Sequence, residues 1–296
     1  MKPLRIGGQA VLEGVMMRSP RAMAIAVRKP DGTIVTTAET VDTIFHRRRP
    51  FTWFPLRGVV SLTEMFLLGL KALSYSARES TGEEEDFGTK EIIISFAFAI
   101  FFVVLLFILL PAFLAGYTKA VASTSLLKSL FEGVVRITLF LLYITAVSQM
   151  KDIKRVFQYH GAEHKTVHAY EAGLELTPGS VDKFSPLHVG CGTGYLLSVM
   201  VIAILIFAFI PPTSLLLRIG IQLLLVPFIA SVTYEFTRLA RRHEHSPITQ
   251  VLMAPGLWLQ KLTAREPDTG QIEVAIAALN EAVRQETAAE RPSNAG

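Results

Sequence analysis

The sequence predicts a mainly α, polytopic helical membrane protein. It should carry about four transmembrane helices, a small N-terminal β-containing cytosolic part and a C-terminal amphipathic helix. Three observations carry this expectation. Of 296 residues, 51% are apolar and 18% charged, whereas ordinary soluble domains carry about 25% charged residues; mean hydropathy is +0.42. The apolar excess is concentrated, since Ile92 to Thr118 and Gly192 to Leu217 contain no charged residue. The basic residues are unevenly placed, with 13 in 1–90, five in 151–193, seven in 237–296 and four elsewhere.

This composition excludes a disordered, collagen-like or low-complexity chain. A single cysteine, Cys191, excludes an internal disulfide and a multi-cysteine zinc module. A net charge of +4 is too mild to point to nucleic acid. The Arg47-Arg48-Arg49 run, beside Pro50, Trp53 and Phe54, reads as a juxtamembrane anchor to anionic lipid.

Residues 1–57 form the expected cytosolic N-terminal segment. Pro30-Asp31-Gly32 between two β-type runs predicts a hairpin at about 22–40. The preceding glycine-rich stretch suggests backbone packed closely against something. Residues 58–90 follow as an apolar segment and an acidic linker. Gly58–Ser76 contains Glu64 and Lys71, and is expected to be an interfacial or shallow re-entrant helix.

The transmembrane region is expected at 91–236. About 20 apolar residues span a bilayer core, which Ile92–Thr118 and Gly192–Leu217 satisfy. Val134–Met150 carries only Arg136, and Leu215–Phe236 carries Arg218 and Glu235 near its ends, where side chains can snorkel. With four spans, the basic-residue bias places both termini and the 151–193 loop in the cytoplasm, at the cytoplasmic (inner) membrane. Residues 237–286 form a cytosolic C-terminal region, with Ile272, Ile276, Leu279 and Val283 at helical spacing. Residues 287–296 read as a disordered tail.

The chemistry concentrates in the central loop. No proline lies between Val134 and Gly173, so the second span is expected to continue as one helix to a stop at Gly173. On that helix His160, His164 and His168 recur at i, i+4 and i+8, with Glu171 three residues on. Two imidazoles one turn apart can chelate one metal ion. His160-Gly161-Ala162-Glu163-His164 also fits H-x-x-E-H, in which both histidines bind zinc and the glutamate is a general base. His188 and Cys191 stand three apart at the mouth of the third apolar run and offer two more ligands. The expected metal set is His160 and His164, completed by His188, Cys191 or Glu171. Glu163 is the expected catalytic base, with Glu13 a further carboxylate candidate. Alternatively, these residues are solvated polar groups on a loop helix.

Four separated strings, RIGGQAVLEGVMMRSP, YHGAEHKTVHAYEAG, HVGCGTGYLL and APGLWLQKLTAREPDTGQIEVAIAAL, resemble the bacterial YqhQ-like family. The resemblance runs from Arg5 to about Leu279. It matches at Gln9, Glu13 and Gly14, at His160, Glu163, His164, Lys165 and Glu171, and at Cys191, Gly192 and Thr193. It matches again at Pro255, Gly256, Trp258, Gln260, Arg265, Glu266 and Glu273. Here His188-Val189-Gly190-Cys191 stands where the family commonly has a His-Pro-Arg-Cys string, so an arginine is missing. His168 does not look like a fixed position of the family. The resemblance implies a membrane protein of about this length with a domain of unknown function, catalogued as a predicted metal-dependent enzyme.

Together these readings give an expected hydrolase-like, metal-dependent membrane enzyme, with zinc, iron or manganese as the divalent ion. Its expected partners are the lipid bilayer, a lipid or membrane-associated peptide as substrate, and further copies of the chain; nucleic acid is not expected. The alternatives are a non-enzymatic scaffold with a structural metal, and a transporter or channel.

Overall fold

Four antiparallel strands and a set of long helices make up the computed structural model, which describes residues 4–42, 53–82, 89–116, 125–210, 214–243 and 246–290. The Arg47–Arg49 run and the end of the tail, 291–296, lie outside the described residues.

The expected hairpin is present as β3 (Ala22–Arg28) and β4 (Ile34–Thr40), and a second hairpin precedes it as β1 (Gly7–Val11) and β2 (Gly14–Arg18). The order is β1-β2-β3-β4, antiparallel throughout. Glu13 turns the first hairpin at φ 49°, in the left-handed region. Gly14 follows it because a Cβ there would sit 2.3 Å from the Ala26 carbonyl oxygen.

The sheet is covered on both faces. Helix α1 (Leu56–Thr81) packs Leu68, Ala72 and Tyr75 on Met16, Met23, Ile25 and Val27. Helix α9 (Thr269–Glu290) packs Ile272, Ala275, Ala278, Leu279 and Ala282 on Val15, Met17, Ala24 and Ala26. The two-residue period of the strands separates these sets, and alanines on both partners let α9 approach closely. Buried Glu286 accepts hydrogen bonds from Ser19 Oγ at 2.7 Å and the Arg21 amide at 2.8 Å, which fixes the far end of α9. The helix therefore continues to Glu290, into the segment expected to be a tail.

Gly58–Ser76 lies within one continuous helix with no re-entrant break. Its start sits on α7 (Leu215–Arg242): a Cβ at Gly58 would lie 2.4 Å from Ser231 Oγ, and Arg57 pairs with Glu235 at 2.7 and 2.5 Å.

Among the described residues, three helices are long and apolar enough to cross a membrane, over Ala97–Leu114, Ser129–Val147 and Leu216–Ala240. They belong to α2 (Thr89–Val104, continuing through a π-helical turn Leu105–Leu109 into Leu110–Gly116), α3 (Ser125–Val147) and α7. The Gly192–Leu217 run forms a shorter apolar helix, α6 (Gly192–Ala208), of 17 residues.

Arg136, the one charged residue of Val134–Met150, does not face outward. It is 6% exposed and turns into the bundle, where its Nη2 meets Glu132 Oε1 at 2.8 Å and its Nε donates to the Phe107 carbonyl at 2.6 Å. Phe107 lies in the π-helical turn, where the ordinary backbone ladder is interrupted. Gln222 donates to Glu132 at 2.7 Å, and Arg218 reaches its other oxygen at 2.6 Å. Burying these charges is tolerable only because each is paired.

The second span does not run on into the histidine helix. Helix α3 ends at Val147, Met150 is extended (ψ 136°), and α4 (Lys151–Glu171) begins anew. Ser148 turns its hydroxyl onto the Thr145 carbonyl at 2.8 Å, and its own carbonyl accepts from Arg265 at 3.0 Å. A distant arginine thus stabilises a break that no local proline announces. Gly173, at φ 70°, lies just past the end of α4 as expected.

Glu132→Ala leaves buried Arg136 and half-buried Arg218 without their carboxylate and should cost about 3–5 kcal/mol. Leu142→Ala, on an exposed face, should be nearly neutral. Chemical unfolding of the detergent-solubilised chain measures both.

Candidate metal centre

Helix α4 brings the histidines together because other segments hold it from three sides. A Cβ at Gly161 would lie 1.9 Å from the Arg265 carbonyl oxygen, so the 264–266 segment crosses against bare backbone. The Arg265 amide donates to the Phe157 carbonyl at 2.8 Å at this crossing. Buried Lys165 reaches Asp182 at 3.0 Å and Glu266 at 2.6 Å on another side. On the third, β1 lies so close that a Cβ at Gly8 would fall 2.6 Å from Glu163 Cγ.

Each of the first two imidazoles is oriented by a backbone carbonyl. His160 Nδ1 lies 2.7 Å from the Thr263 oxygen, and His164 Nδ1 lies 2.5 Å from the Pro186 oxygen. A carbonyl can only accept, so both Nδ1 atoms carry the proton and both Nε2 atoms keep a lone pair. This is the outer-shell arrangement that orients metal-binding histidines. His160 Nε2 faces Cys191 Sγ at 3.2 Å, and ligand atoms of His160, His164 and Cys191 all lie within 4.8 Å of one another.

Cys191 caps the N-terminus of α6, where its sulfur accepts from the Thr193 amide at 3.3 Å. The helix dipole there favours a negative ligand. Burial pushes the His164 imidazole below its usual value and so favours the neutral, ligating form. Glu163, 5% exposed, lies with Oε2 3.5 Å from His164 Nε2. Burial pushes its carboxyl above the ordinary carboxylate range.

His188 and Glu171 do not join this group. With His168 they form a second one, again with ligand atoms within 4.8 Å. Here the proton positions differ. The Gly190 amide donates to His188 Nδ1 at 3.1 Å, so the neutral ring carries its proton on Nε2, which faces Glu171 at 3.6 Å. The ring atom aimed at the carboxylate is thus a donor. His168 Nε2 is turned onto the Leu187 carbonyl at 3.0 Å. The His188 ring facing it holds the Glu171 carboxyl below its usual range, and burial lowers His168. The second group is better suited to holding a proton than a cation. It adjoins the first, with the His164 and His188 rings 5.6 Å apart.

Glu13 joins neither group. Arg155 grips its carboxylate with two bonds of 2.5 Å, and the Tyr159 hydroxyl adds a third at 3.2 Å. It clips the first hairpin onto α4, one turn before His160.

Gln260 and Thr263 were not expected to serve the site. Gln260 clamps the His188 backbone, accepting from its amide at 2.8 Å and donating to its carbonyl at 2.9 Å. Both residues lie on the buried side of α8 (Pro247–Thr263). A glutamine and a threonine at i and i+3 in an apolar helix were the only local signal.

Residues 53–285 match the family described as "Protein of unknown function (DUF1385)". The chain belongs to this family. The chain is also 32% identical to "Uncharacterized protein YqhQ" of Bacillus subtilis (strain 168), with 98% of this chain and 95% of that protein covered. No solved structure matches.

Two substitutions test how the site is held. Gly161→Ala should destabilise the chain by about 1–3 kcal/mol, because backbone, not a side chain, occupies the space; thermal unfolding in detergent reads this. Gly8→Ala should displace Glu163 and cost less than Gly161→Ala, because a side chain rather than backbone occupies that space, and the same unfolding measurement reads it.

Proposed function

We propose that the chain is a metal-dependent, hydrolase-like enzyme of the cytoplasmic membrane, with its site on the cytoplasmic side. The observation that carries this reading is the pair of imidazoles whose Nδ1 protons rest on backbone carbonyls, with His160 Nε2 facing Cys191 Sγ and ligand atoms of His160, His164 and Cys191 within 4.8 Å of one another. His160, His164 and Cys191 hold the ion. Zinc suits two nitrogens and a thiolate best, with iron or manganese as lesser candidates. These residues would hold it with three protein ligands, the number typical of catalytic rather than closed structural sites. An ion held there would supply Lewis-acid chemistry, polarising a substrate oxygen and easing deprotonation of water.

Glu163 is the general base. It stands beside the ligands, shielded from solvent by β1, and can take a proton at Oε2. The His188–Glu171 pair lies on the more open side, with side chains 21% and 45% exposed. It is suited to passing that proton to solvent or to a leaving group. A lipid or membrane-associated peptide is the substrate class that fits a site at the root of apolar helices.

The topology proposed with this reading has four spans, α2, α3, α6 and α7. Its support is that α3 ends, and α6 begins, at the same histidine cluster. The 17 residues of α6 reach about 25 Å, extended by Phe209 and Ile210. Two spans joined at one site return the chain to the same side.

Purified protein should contain one equivalent of zinc by elemental analysis. His160→Ala, His164→Ala and Cys191→Ser should each lose it, whereas His188→Ala should retain it. Metal retained by His164→Ala overturns the ligand set. Glu163→Gln should keep the metal yet fail to complement a deletion strain; full complementation would favour the scaffold reading.

A further inference from the structure

Helix α8 sits in the region the sequence reading placed in the cytosol, yet it carries an apolar surface that no described part of the chain covers. Ile248 is 72% exposed, Val251 73%, Leu252 53% and Trp258 74%. These positions recur at i, i+3, i+4 and i+10, so they form a stripe along one side. Between Pro247 and Thr263 there is no acidic residue, and Lys261 is the one basic residue.

We propose that this stripe lies against lipid acyl chains, so that α8 is immersed in the leaflet that carries the histidine site. Three observations name lipid as the occupant. First, α8 packs along α6, whose Leu196, Val201 and Leu205 are exposed in the same way, so the stripe continues the surface of the apolar bundle. Second, the contact between the two helices is made by glycines: a Cβ at Gly256 would lie 2.9 Å from Gly194 Cα. Small residues that let helix backbones touch are the packing mode of helices in lipid. Third, Lys261 stands over the Trp258 ring, its Nζ 5.8 Å from the centroid, at the end of α8 nearest the site. A tryptophan and a lysine at the end of an apolar helix mark the headgroup level.

The buried side of the same helix serves the histidines. Thr263 fixes the proton of His160, and Gln260 clamps the His188 backbone. The lipid-facing Trp258 is therefore two residues from a residue that shapes the site. A molecule with its chain in the leaflet and its polar end at the surface would meet the site without leaving the membrane. The lipid contact stands without the metal; this consequence for substrate class rests on the metal reading.

The chain contains two tryptophans, Trp53 and Trp258, which makes the test direct. Trp53→Phe is reconstituted into phosphatidylcholine–phosphatidylglycerol vesicles, with and without bromine on the acyl chains. Trp258 emission should fall by at least half in the brominated vesicles and respond little to aqueous iodide. Quenching by iodide without quenching by brominated lipid means a water-facing helix and overturns the proposal. Quenching by neither means that protein, such as a second copy of the chain, covers the stripe, and overturns it equally. If Trp53→Phe fails to fold, the difference between wild-type and Trp258→Phe emission gives the same readout. Zinc content measured on the same samples separates loss of the metal centre from loss of lipid contact.

Discussion

Two backbone carbonyls, those of Thr263 and Pro186, govern what the histidine cluster can do. By accepting the Nδ1 protons of His160 and His164 they leave both Nε2 lone pairs available to a ligand. Neither oxygen belongs to α4. Thr263 is placed by the crossing of the 264–266 segment over Gly161, and Pro186 by the turn that leads to Cys191. The cluster therefore exists only when α8, α4 and the start of α6 are packed together. A neighbouring pair of histidines shows how much the proton position matters. His188 lies 5.6 Å from His164 between ring centres, but the Gly190 amide occupies its Nδ1 and gives it the opposite tautomer.

The N-terminal sheet and α9 explain how a charged helix can be so deeply covered. Helix α4 buries Glu163, His164 and Lys165 in succession, which is costly unless each finds a partner. Lys165 has Asp182 and Glu266, and His164 has Pro186. Glu163 has the Gly8 backbone and the surrounding imidazoles, and burial still outweighs them. It is the least compensated of the three, which is the condition expected of a group that does chemistry. The Glu13–Arg155 clip has the opposite character: a carboxylate with three donors is an anchor.

The apolar bundle keeps its charges at a different place. Glu132, Arg136, Arg218 and Gln222 join the start of α3 to the start of α7, and Arg136 lies over the Phe207 ring near the end of α6. The histidine cluster lies at the end of α3 and the start of α6. A paired network holds the helices at one end, and the reactive groups occupy the other. The chain thus separates the polar contacts that position helices from those with chemical potential.

By itself, the sequence determined the elements whose signals are local. The uncharged runs produced apolar helices, Pro30-Asp31-Gly32 produced the β3–β4 turn, Gly173 ended α4, and the i, i+4 histidines faced one side. Tertiary structure decided whatever depends on a distant partner. The Leu12–Glu13 turn was hidden because Glu13 adopts a left-handed conformation usually left to glycine or asparagine. The break after Val147 rests on Arg265, and the inward turn of Arg136 on Glu132 and the Phe107 carbonyl. Periodicity puts His160, His164, His168 and Glu171 on one face, but it cannot show which ring nitrogen carries the proton. That is set by the polar atom opposite each ring, and those atoms come from residues 19 to 103 positions away.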